Sequence, residues 1–172
     1  LVNMYGKCGS LENAQMIFNR MPIRNVISWT AIITAYVQHG ENSTGFDMFE
    51  KMHLHGVFPN KVTLLSIVDA CTASMEKAKH IHKYVILGGF DADIFVSTAL
   101  ISMYGKLSSP ENALCSFAKM PERTIVSWNA MITVCAEHGL MEEAFLFFCQ
   151  IREKGMVLDK HRECFSQPRR SC

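Results

Sequence analysis

The sequence has no long apolar run, little net charge and few residues that break regular structure. Its most apolar stretch, Val26 to Val37, contains Ser28, Thr30 and Thr34 and is well short of the about 20 residues that a membrane span needs. With 17 Lys and Arg against 16 Asp and Glu, the net charge is +1, which excludes a polybasic tail. Five prolines and ten glycines in 172 residues exclude a low-complexity linker. A hydrophobic fraction of 49% instead predicts a packed protein.

The cysteine and histidine patterns do not indicate a disulfide framework, a metal centre or a catalytic site. The seven cysteines are odd in number and contain no C-x-x-C pair, so we expect seven free thiols in a reducing compartment. The pairs His53/His55 and His80/His82 have i, i+2 spacing, which turns the two side chains to different sides of a helix. No Gly-rich phosphate loop or Ser/His/Asp arrangement is present. We therefore predict no catalytic residue, no metal, no cofactor and no small-molecule substrate.

An internal repeat with a period of 99 residues organises the chain. Residues 1–40 share 20 identical positions with residues 100–139, and the shared positions include both tryptophans. Because this period exceeds a single helical repeat, we expect smaller units inside it. Turn signals define a partial unit at 1–25, complete units at 26–60, 61–93, 94–124 and 125–159, and a tail at 160–172 that leaves the pattern.

Each complete unit predicts two amphipathic helices. In unit 26–60, Ile27, Trp29, Ile32, Ile33 and Tyr36 recur at helical spacing, and Gly40 closes the helix. A stripe of apolar residues three apart follows in the second half of the unit. One helix pair cannot bury both apolar faces, so the pairs must stack. We predict an all-α fold, a right-handed α-solenoid of stacked helix–turn–helix repeats with about nine helices and no sheet.

The units resemble pentatricopeptide repeats. The resemblance is carried by the sequences at 3–14, 21–25, 26–33, 50–60 and 80–90, for example Val-Ile-Ser-Trp-Thr-Ala-Ile-Ile at 26–33. The alternation of standard (26–60, 125–159), long-type (61–93) and short-type (1–25, 94–124) units is similar to the plant triplet subclass.

The sequence departs from the family pattern in three places. The long-type unit is two residues short between Cys71 and Ala78, Leu158 stands where the family usually has Pro, and the tail from Lys160 resembles a truncated C-terminus.

The resemblance implies binding of single-stranded RNA, with about one base for each repeat. In the family, the fifth and the last residue of each repeat read the base. The corresponding residues here are Asn25, Thr30, Asn60, Leu65, Asp93, Thr98, Thr124, Asn129 and Asp159.

Hydrogen-bonding chemistry explains how the last residue discriminates between bases. Ionised Asp only accepts and suits the imino N–H of U or G, whereas Asn both donates and accepts and suits A or C. Thr as the fifth residue favours purines in the family, and Asn favours pyrimidines. Thr30/Asn60 is then expected to read A and Asn129/Asp159 to read U, while Leu65 cannot hydrogen-bond. The repeats together predict a preference for 5′-A-N-R-U-3′.

Two further sets of residues follow from the resemblance. The second residues of the repeats would clamp the bases, would form inter-repeat core, or would do both: Ile27, Val62, Phe95 and Val126. Lys7 and Lys106 lie where the family often places a phosphate-contacting Lys, although solvated lysines are an equally good interpretation.

The triplet subclass resembles organelle factors that recognise sites for C-to-U RNA editing or RNA processing. The resemblance implies a location in the mitochondrion or chloroplast and, besides RNA, organelle RNA-editing accessory proteins as partners. No deaminase domain is present in this sequence, so the prediction is a recruiter and not an enzyme. The alternatives are a protein-binding helical-repeat scaffold of tetratricopeptide type and a non-functional truncated remnant.

Overall fold

A computed structural model of the protein describes residues 1–71 and 74–153, and this part of the chain contains ten α-helices and no strand. The helices are α1 Val2–Lys7, α2 Leu11–Arg20, α3 Val26–Gln38, α4 Asn42–Leu54, α5 Lys61–Ala70, α6 Met75–Leu87, α7 Ile94–Lys106, α8 Pro110–Lys119, α9 Ile125–Glu137 and α10 Met141–Glu153. The count exceeds the expected nine because residues 1–25 supply two helices, α1 and α2, instead of one. The predicted all-α fold is confirmed.

Local sequence fixes where the odd-numbered helices begin. Asn25, Asn60, Asp93 and Thr124 precede α3, α5, α7 and α9, and each side chain accepts a hydrogen bond from a backbone N–H in the first helical turn. Asn, Asp and Thr are preferred N-cap residues because the first N–H groups of a helix have no partner within it. In these four units, the predicted reading position at the end of the unit is therefore also a helix cap.

The odd-numbered helices form one layer of the solenoid. Each of α1, α3, α5 and α7 packs on the next odd-numbered helix, and α2, α4, α6, α8 and α10 each pack on the preceding odd-numbered helix. Within the described ranges, no two even-numbered helices approach as closely as the odd-numbered ones do. The odd-numbered helices consequently line the inside of the stack, and the even-numbered helices fan out on its outer side.

Two buried aromatic pairs anchor the core. Trp29 and Trp128 are both 1% exposed. The ring of Trp29 packs edge-on against Phe18 with centroids 4.7 Å apart, and Trp128 packs against Phe117 in the same way at 4.8 Å. The two pairs hold α3 on α2 and α9 on α8, so the period of 99 residues is a repeat of packing as well as of sequence.

The long-type unit has the shortest first helix among the complete units. α5 has 10 residues, whereas α3, α7 and α9 have 13 each. α5 ends at Ala70, and Ser74 caps α6 by accepting the N–H of Lys77. The distortion expected between Cys71 and Ala78 falls partly on residues 72 and 73, which lie outside the described ranges.

The cysteines of the described residues are free thiols in different environments. Cys8 and Cys115 are exposed, Cys71 and Cys135 are buried, and Cys149 is half-buried. Burial raises the pKa of the Cys71 thiol to about 12, although the charge of Lys77 opposes the shift. The thiolate is the reactive form, so Cys71 is chemically inert in the fold. Cys164 and Cys172 lie outside the described residues. No helix in the described part of the chain is long and apolar enough to cross a membrane.

Candidate RNA-contacting surface

The residues predicted to contact bases lie along one strip of the solenoid. The second and fifth residues of each unit fall in the first turns of α3, α5, α7 and α9, three positions apart, and so share a helix face. Hydrogen bonds between Thr34 and Ser66 (2.8 Å) and between Thr30 and Thr63 (2.6 Å) show that α3 and α5 run in the same direction and in register. We call the N-terminal ends of these four helices, with their caps, the cap strip.

Four apolar side chains project from the cap strip. At the second position, Ile27 is 71% exposed, Val62 56%, Phe95 68% and Val126 61%. Side chains of this kind are normally buried, and four equivalent ones exposed in a row mark a contact surface. The interpretation of these residues as inter-repeat core is wrong, because their surfaces are open to solvent.

Thr63 connects Thr30 and Asn60, the predicted reading pair of unit 26–60. The Thr30 hydroxyl donates to the Val26 carbonyl at 2.7 Å and lies 2.6 Å from the hydroxyl of buried Thr63. The Thr63 hydroxyl in turn contacts Asn60 Oδ1 at 2.9 Å. Thr63 therefore connects the two residues, and a base that accepts a hydrogen bond from the Thr30 hydroxyl has to replace the one to Val26.

The cap of α5 leaves one side of the Asn60 amide for a ligand. Its Oδ1 accepts the Thr63 N–H at 2.9 Å, and the Asn60 N–H contacts the Thr63 hydroxyl at 3.3 Å, which completes a capping box. The oxygen is used by the helix, whereas the half-buried side chain keeps its Nδ2 donors for a partner. Such a donor suits the ring-nitrogen acceptor of A or C.

Asp93 is engaged differently. Its Oδ1 accepts the N–H groups of Phe95 (3.0 Å) and Val96 (3.1 Å), and its Oδ2 lies 2.7 Å from Lys61 Nζ. Burial by itself would raise the pKa of this carboxyl, but the hydrogen bond from Lys61, the two amides and the Lys61 charge hold the pKa below its ordinary value. Asp93 is thus an ionised acceptor whose two oxygens both have partners within the protein.

Among the other predicted reading residues, two are helix caps and one bonds the backbone of its own helix. Asn25 caps α3 through the Ser28 N–H (3.0 Å), and Thr124 caps α9 through the Ser127 N–H (3.4 Å). The hydroxyl of half-buried Thr98 donates to the Ile94 carbonyl at 2.6 Å, like that of Thr30.

Leu65 is half-buried against the core and Asn129 is exposed. Asp159 lies outside the described residues, so the structure places only one member of the pair predicted to read U.

The two candidate phosphate contacts lie at the C-terminal ends of their helices, whereas the cap strip consists of N-terminal ends. Lys7 is the last residue of α1 and Lys106 the last residue of α7, and both are exposed. Lys106 follows Thr98 by eight positions, which corresponds to about 12 Å along the axis of α7. Both lysines therefore lie along the layer of first helices but away from the cap strip.

Three histidines make hydrogen bonds that suit a structural role. His39 Nδ1 bonds the Ala35 carbonyl at 2.8 Å, and His138 Nδ1 bonds the Val134 carbonyl at 2.7 Å. His82 Nδ1 bonds Tyr104 Oη at 2.8 Å. No three His, Cys, Asp or Glu side chains within the described ranges are placed to hold a metal ion.

The sequence interpretation missed two residues of the cap strip, Lys61 and Thr63. Both left a signal. Asn60-x-x-Thr63 fits a capping box, in which a polar residue three positions after the cap returns a hydrogen bond. Lys61 is the one charged residue among the first positions of the complete units, which otherwise hold Val26, Ile94 and Ile125.

Comparison with known proteins identifies related repeats along the chain. Models of the PPR repeat match residues 1–26, 95–125 and 126–156, and a model of the PPR repeat family matches residues 24–73. A chloroplastic pentatricopeptide repeat-containing protein of Arabidopsis thaliana is 40% identical over 161 residues, which are 92% of this chain and 20% of that protein. A mitochondrial one from the same plant is 37% identical over 158 residues, 91% of this chain and 15% of that protein. The chain therefore spans a fifth or less of these relatives.

Solved structures with the same fold come from a pentatricopeptide repeat protein, PPR10. The crystal structure of PPR10 from maize matches with a TM-score of 0.75 at 21% identity, covering 92% of this chain and 24% of that one. The complex of PPR10 with an 18-nt psaJ RNA element matches with a TM-score of 0.71 at 20% identity, covering 92% of this chain and 25% of that one. At this identity the likeness shows the fold, an α-solenoid of helical repeats.

Proposed function

Because this chain belongs to the pentatricopeptide repeat family, we propose that it binds single-stranded RNA sequence-specifically along the cap strip. The observation that carries the proposal is the row of exposed apolar side chains at the second positions, each next to a polar helix cap. Apolar and aromatic surfaces stack on bases, and polar side chains beside them discriminate between base edges. The PPR10 fold, solved with an RNA element bound, supports the same use of a solenoid.

The proposed preference, 5′-A-N-R-U-3′, follows from the chemistry of the reading pairs. Asn60 would donate from Nδ2 to a ring nitrogen of A, with Thr30 beside it selecting a purine. Thr98 would favour a purine at the third position. Asn129, which is exposed, would read U together with Asp159. Units that run from 26–60 to 125–159 would contact the RNA from 5′ to 3′.

The low net charge predicts weak dependence of affinity on salt. For single strands, log K falls against log salt with a slope of about −0.7 for each phosphate neutralised. If Lys7 and Lys106 are the phosphate contacts, the slope would be about −1.4, and replacing either by Gln would reduce it by about 0.7. Most of the affinity would then come from contacts with bases.

We further propose that the whole protein acts in a plant organelle, at sites of C-to-U editing or RNA processing. Relatives with chloroplastic and mitochondrial names support an organelle location. In this role the chain recognises RNA and leaves the chemistry to other proteins, among them RNA-editing accessory proteins.

The decisive experiment exchanges donor and acceptor at the reading residues. Asn60→Asp keeps the side-chain size and the ability to cap α5 but replaces the Nδ2 donor by an acceptor. The preference at the first base should move from A toward G, and Asp159→Asn should move the last preference from U toward C. Each change should alter discrimination by about 1–3 kcal/mol, by analogy with bidentate base readout in DNA.

Selection from a randomised RNA pool at low salt measures both shifts. Asn19→Asp is the matched control, since it makes the same chemical change on an exposed residue of α2, away from the cap strip. If both reading variants select the same bases as the parent, these residues do not read RNA. A protein-binding scaffold then becomes the better function, and the exposed apolar residues of the outer layer, such as Leu54 and Phe145, are its surface.

A further inference from the structure

Lys61 makes one contact with the last residue of its own unit and one with a residue of the next unit. Its ammonium group lies 2.7 Å from Asp93 Oδ2 and 4.3 Å from the centroid of the Phe95 ring. Asp93 is the last residue of unit 61–93, and Phe95 is the second residue of the next unit. The ion pair spans 32 positions, so only the stacking of α5 beside α7 creates it.

The contacts place the Lys61 ammonium group where a base would bind. A base held by unit 61–93 would lie between Val62 and Phe95, with its edge toward Asp93. Lys61 belongs to α5, the helix that carries Val62, and its ammonium group lies 4.3 Å from the centroid of the Phe95 ring, the other proposed clamping residue. Lys61 contacts the two groups that this base would contact. Its charge lies near the Phe95 ring, and its N–H groups lie near the Asp93 carboxylate.

We propose that Lys61 takes the place of a base within the protein, so that unit 61–93 accommodates its nucleotide without selecting a particular base. This inference rests on the proposed RNA binding and names the unit that lacks specificity. Neither reading position of the unit selects a base, for physical reasons. Leu65 offers no hydrogen bond, and every Asp93 oxygen already has a partner.

The occupation of the base position by Lys61 is reversible. Both side chains of the ion pair are partly exposed, and exposed ion pairs are weak because water competes for them and their side chains lose freedom. A cation over an exposed ring adds a contribution of similar size. The nucleotide is therefore accommodated next to the lysine, and what is lost is the preference for any particular base.

Lys61→Val tests the proposal, since the other complete units carry Val or Ile at this position. The probes are four short RNAs with the core 5′-A-N-A-U-3′ that differ only at the second base. The parent should bind all four within about twofold. In Lys61→Val the freed Asp93 accepts an imino N–H and the freed Phe95 ring stacks, so U and G should bind about three- to tenfold better than A and C.

Two further variants define the controls. Lys106→Gln also removes one positive charge, from an exposed site outside the cap strip, and should weaken binding equally for all four RNAs. Asp93→Asn breaks the ion pair but keeps a good cap for α7, and should create a preference for A or C at the second base. It keeps the proposal testable if Lys61→Val is poorly folded.

Two outcomes overturn the inference. If Lys61→Val loses affinity uniformly, as Lys106→Gln does, Lys61 contacts phosphate. If neither Lys61→Val nor Asp93→Asn changes the preference at the second base, Lys61 does not occupy the base position. RNAs with the first A or the last U replaced separate these outcomes from failure of the proposed function. A parent that does not discriminate there does not read RNA at all, whatever Lys61 does.

Discussion

The α2–α3 junction and the α8–α9 junction, 99 residues apart, are two copies of one buried arrangement with different surfaces. In the first copy Arg24 Nε donates to the Phe18 carbonyl at 3.2 Å, and in the second Arg123 Nε donates to the Phe117 carbonyl at the same distance. The guanidinium groups also lie over the phenylalanine rings, at 5.1 Å and 4.8 Å. On the cap strip, by contrast, the fifth residue is buried Thr30 in one copy and exposed Asn129 in the other.

The difference separates residues that build the solenoid from residues that give each repeat its chemistry. Buried positions are constrained because protein interiors are close-packed, and a lost ring leaves a cavity. Exposed positions next to the caps carry no such constraint. A repeat can therefore change its reading residue without changing how its helices pack.

The largest effect should come from removing the tryptophan of either copy. Trp29→Ala and Trp128→Ala should each lower the free energy of unfolding by about 3–5 kcal/mol, because both rings are fully buried against a phenylalanine. Urea denaturation followed by circular dichroism measures the loss. Ile23→Ala, at an exposed position, is the control and should change stability little. Equal losses confirm equivalent copies, and a loss at one tryptophan only would break the comparison.

A second effect concerns the glycines where adjacent first helices touch. A Cβ added at Gly105 would lie 2.5 Å from Val134 Cγ2, and one added at Gly6 would lie 2.7 Å from Ala35 Cβ. Gly105→Ala and Gly6→Ala should each cost about 1–3 kcal/mol from overpacking.

The two glycine variants should differ in how they can be rescued. Val134→Ala removes the clashing methyl group and leaves Val134 Cβ 3.5 Å from the added carbon, so it should recover much of the loss of Gly105→Ala. Ala35 has no methyl branch to remove, so Gly6→Ala should need Ala35→Gly. A double-mutant cycle on thermal denaturation measures the coupling. Additive losses in the Gly105/Val134 cycle would show that α7 and α9 move apart instead.

A smaller effect is expected after α1 and α7, where the two copies use different residues in the same backbone conformation. Gly9 has φ 77° and Ser108 has φ 52°, in the left-handed region that favours glycine. Ser108→Gly should stabilise the protein by about 0.5–1 kcal/mol, and Gly9→Ser should destabilise it by a similar amount. Chemical denaturation of both variants checks the pair. A destabilised Ser108→Gly would mean that the serine side chain outweighs its strain.

The smallest effect is a pH dependence that arises from His82 of the long-type unit. Burial lowers the pKa of His82, the charge of Lys119 lowers it further, and Asp91 opposes the shift. The unfolded chain then binds the proton more tightly than the folded one, so stability should fall as pH drops through about 6.5, the ordinary histidine value.

Thermal melts between neutral and mildly acidic pH measure this slope. His82→Gln should flatten it, because the group that gains a proton on unfolding is gone. His39→Gln, which removes a histidine hydrogen-bonded at the end of α3, serves as the matched control. If the slope is unchanged in His82→Gln, the pH dependence arises elsewhere in the chain.

The sequence by itself determined the fold class and the position of the caps, for physical reasons that are local. Apolar residues at helical spacing define the buried faces, and Asn25, Asn60, Asp93 and Thr124 precede helices because their side chains satisfy free N–H groups. The repeat of 99 residues also indicated stacking, since one helix pair cannot bury both apolar faces.

Only the tertiary structure decided which side chains meet between neighbouring first helices. Exposure showed that Ile27, Val62, Phe95 and Val126 form a surface and not a core, although their residue types suit either place. The contact of Thr30 with Thr63 and the ion pair of Lys61 with Asp93 join residues more than 30 positions apart on parallel helices. Such contacts depend on the register in which one helix lies beside the next, and register is set by packing of the whole stack.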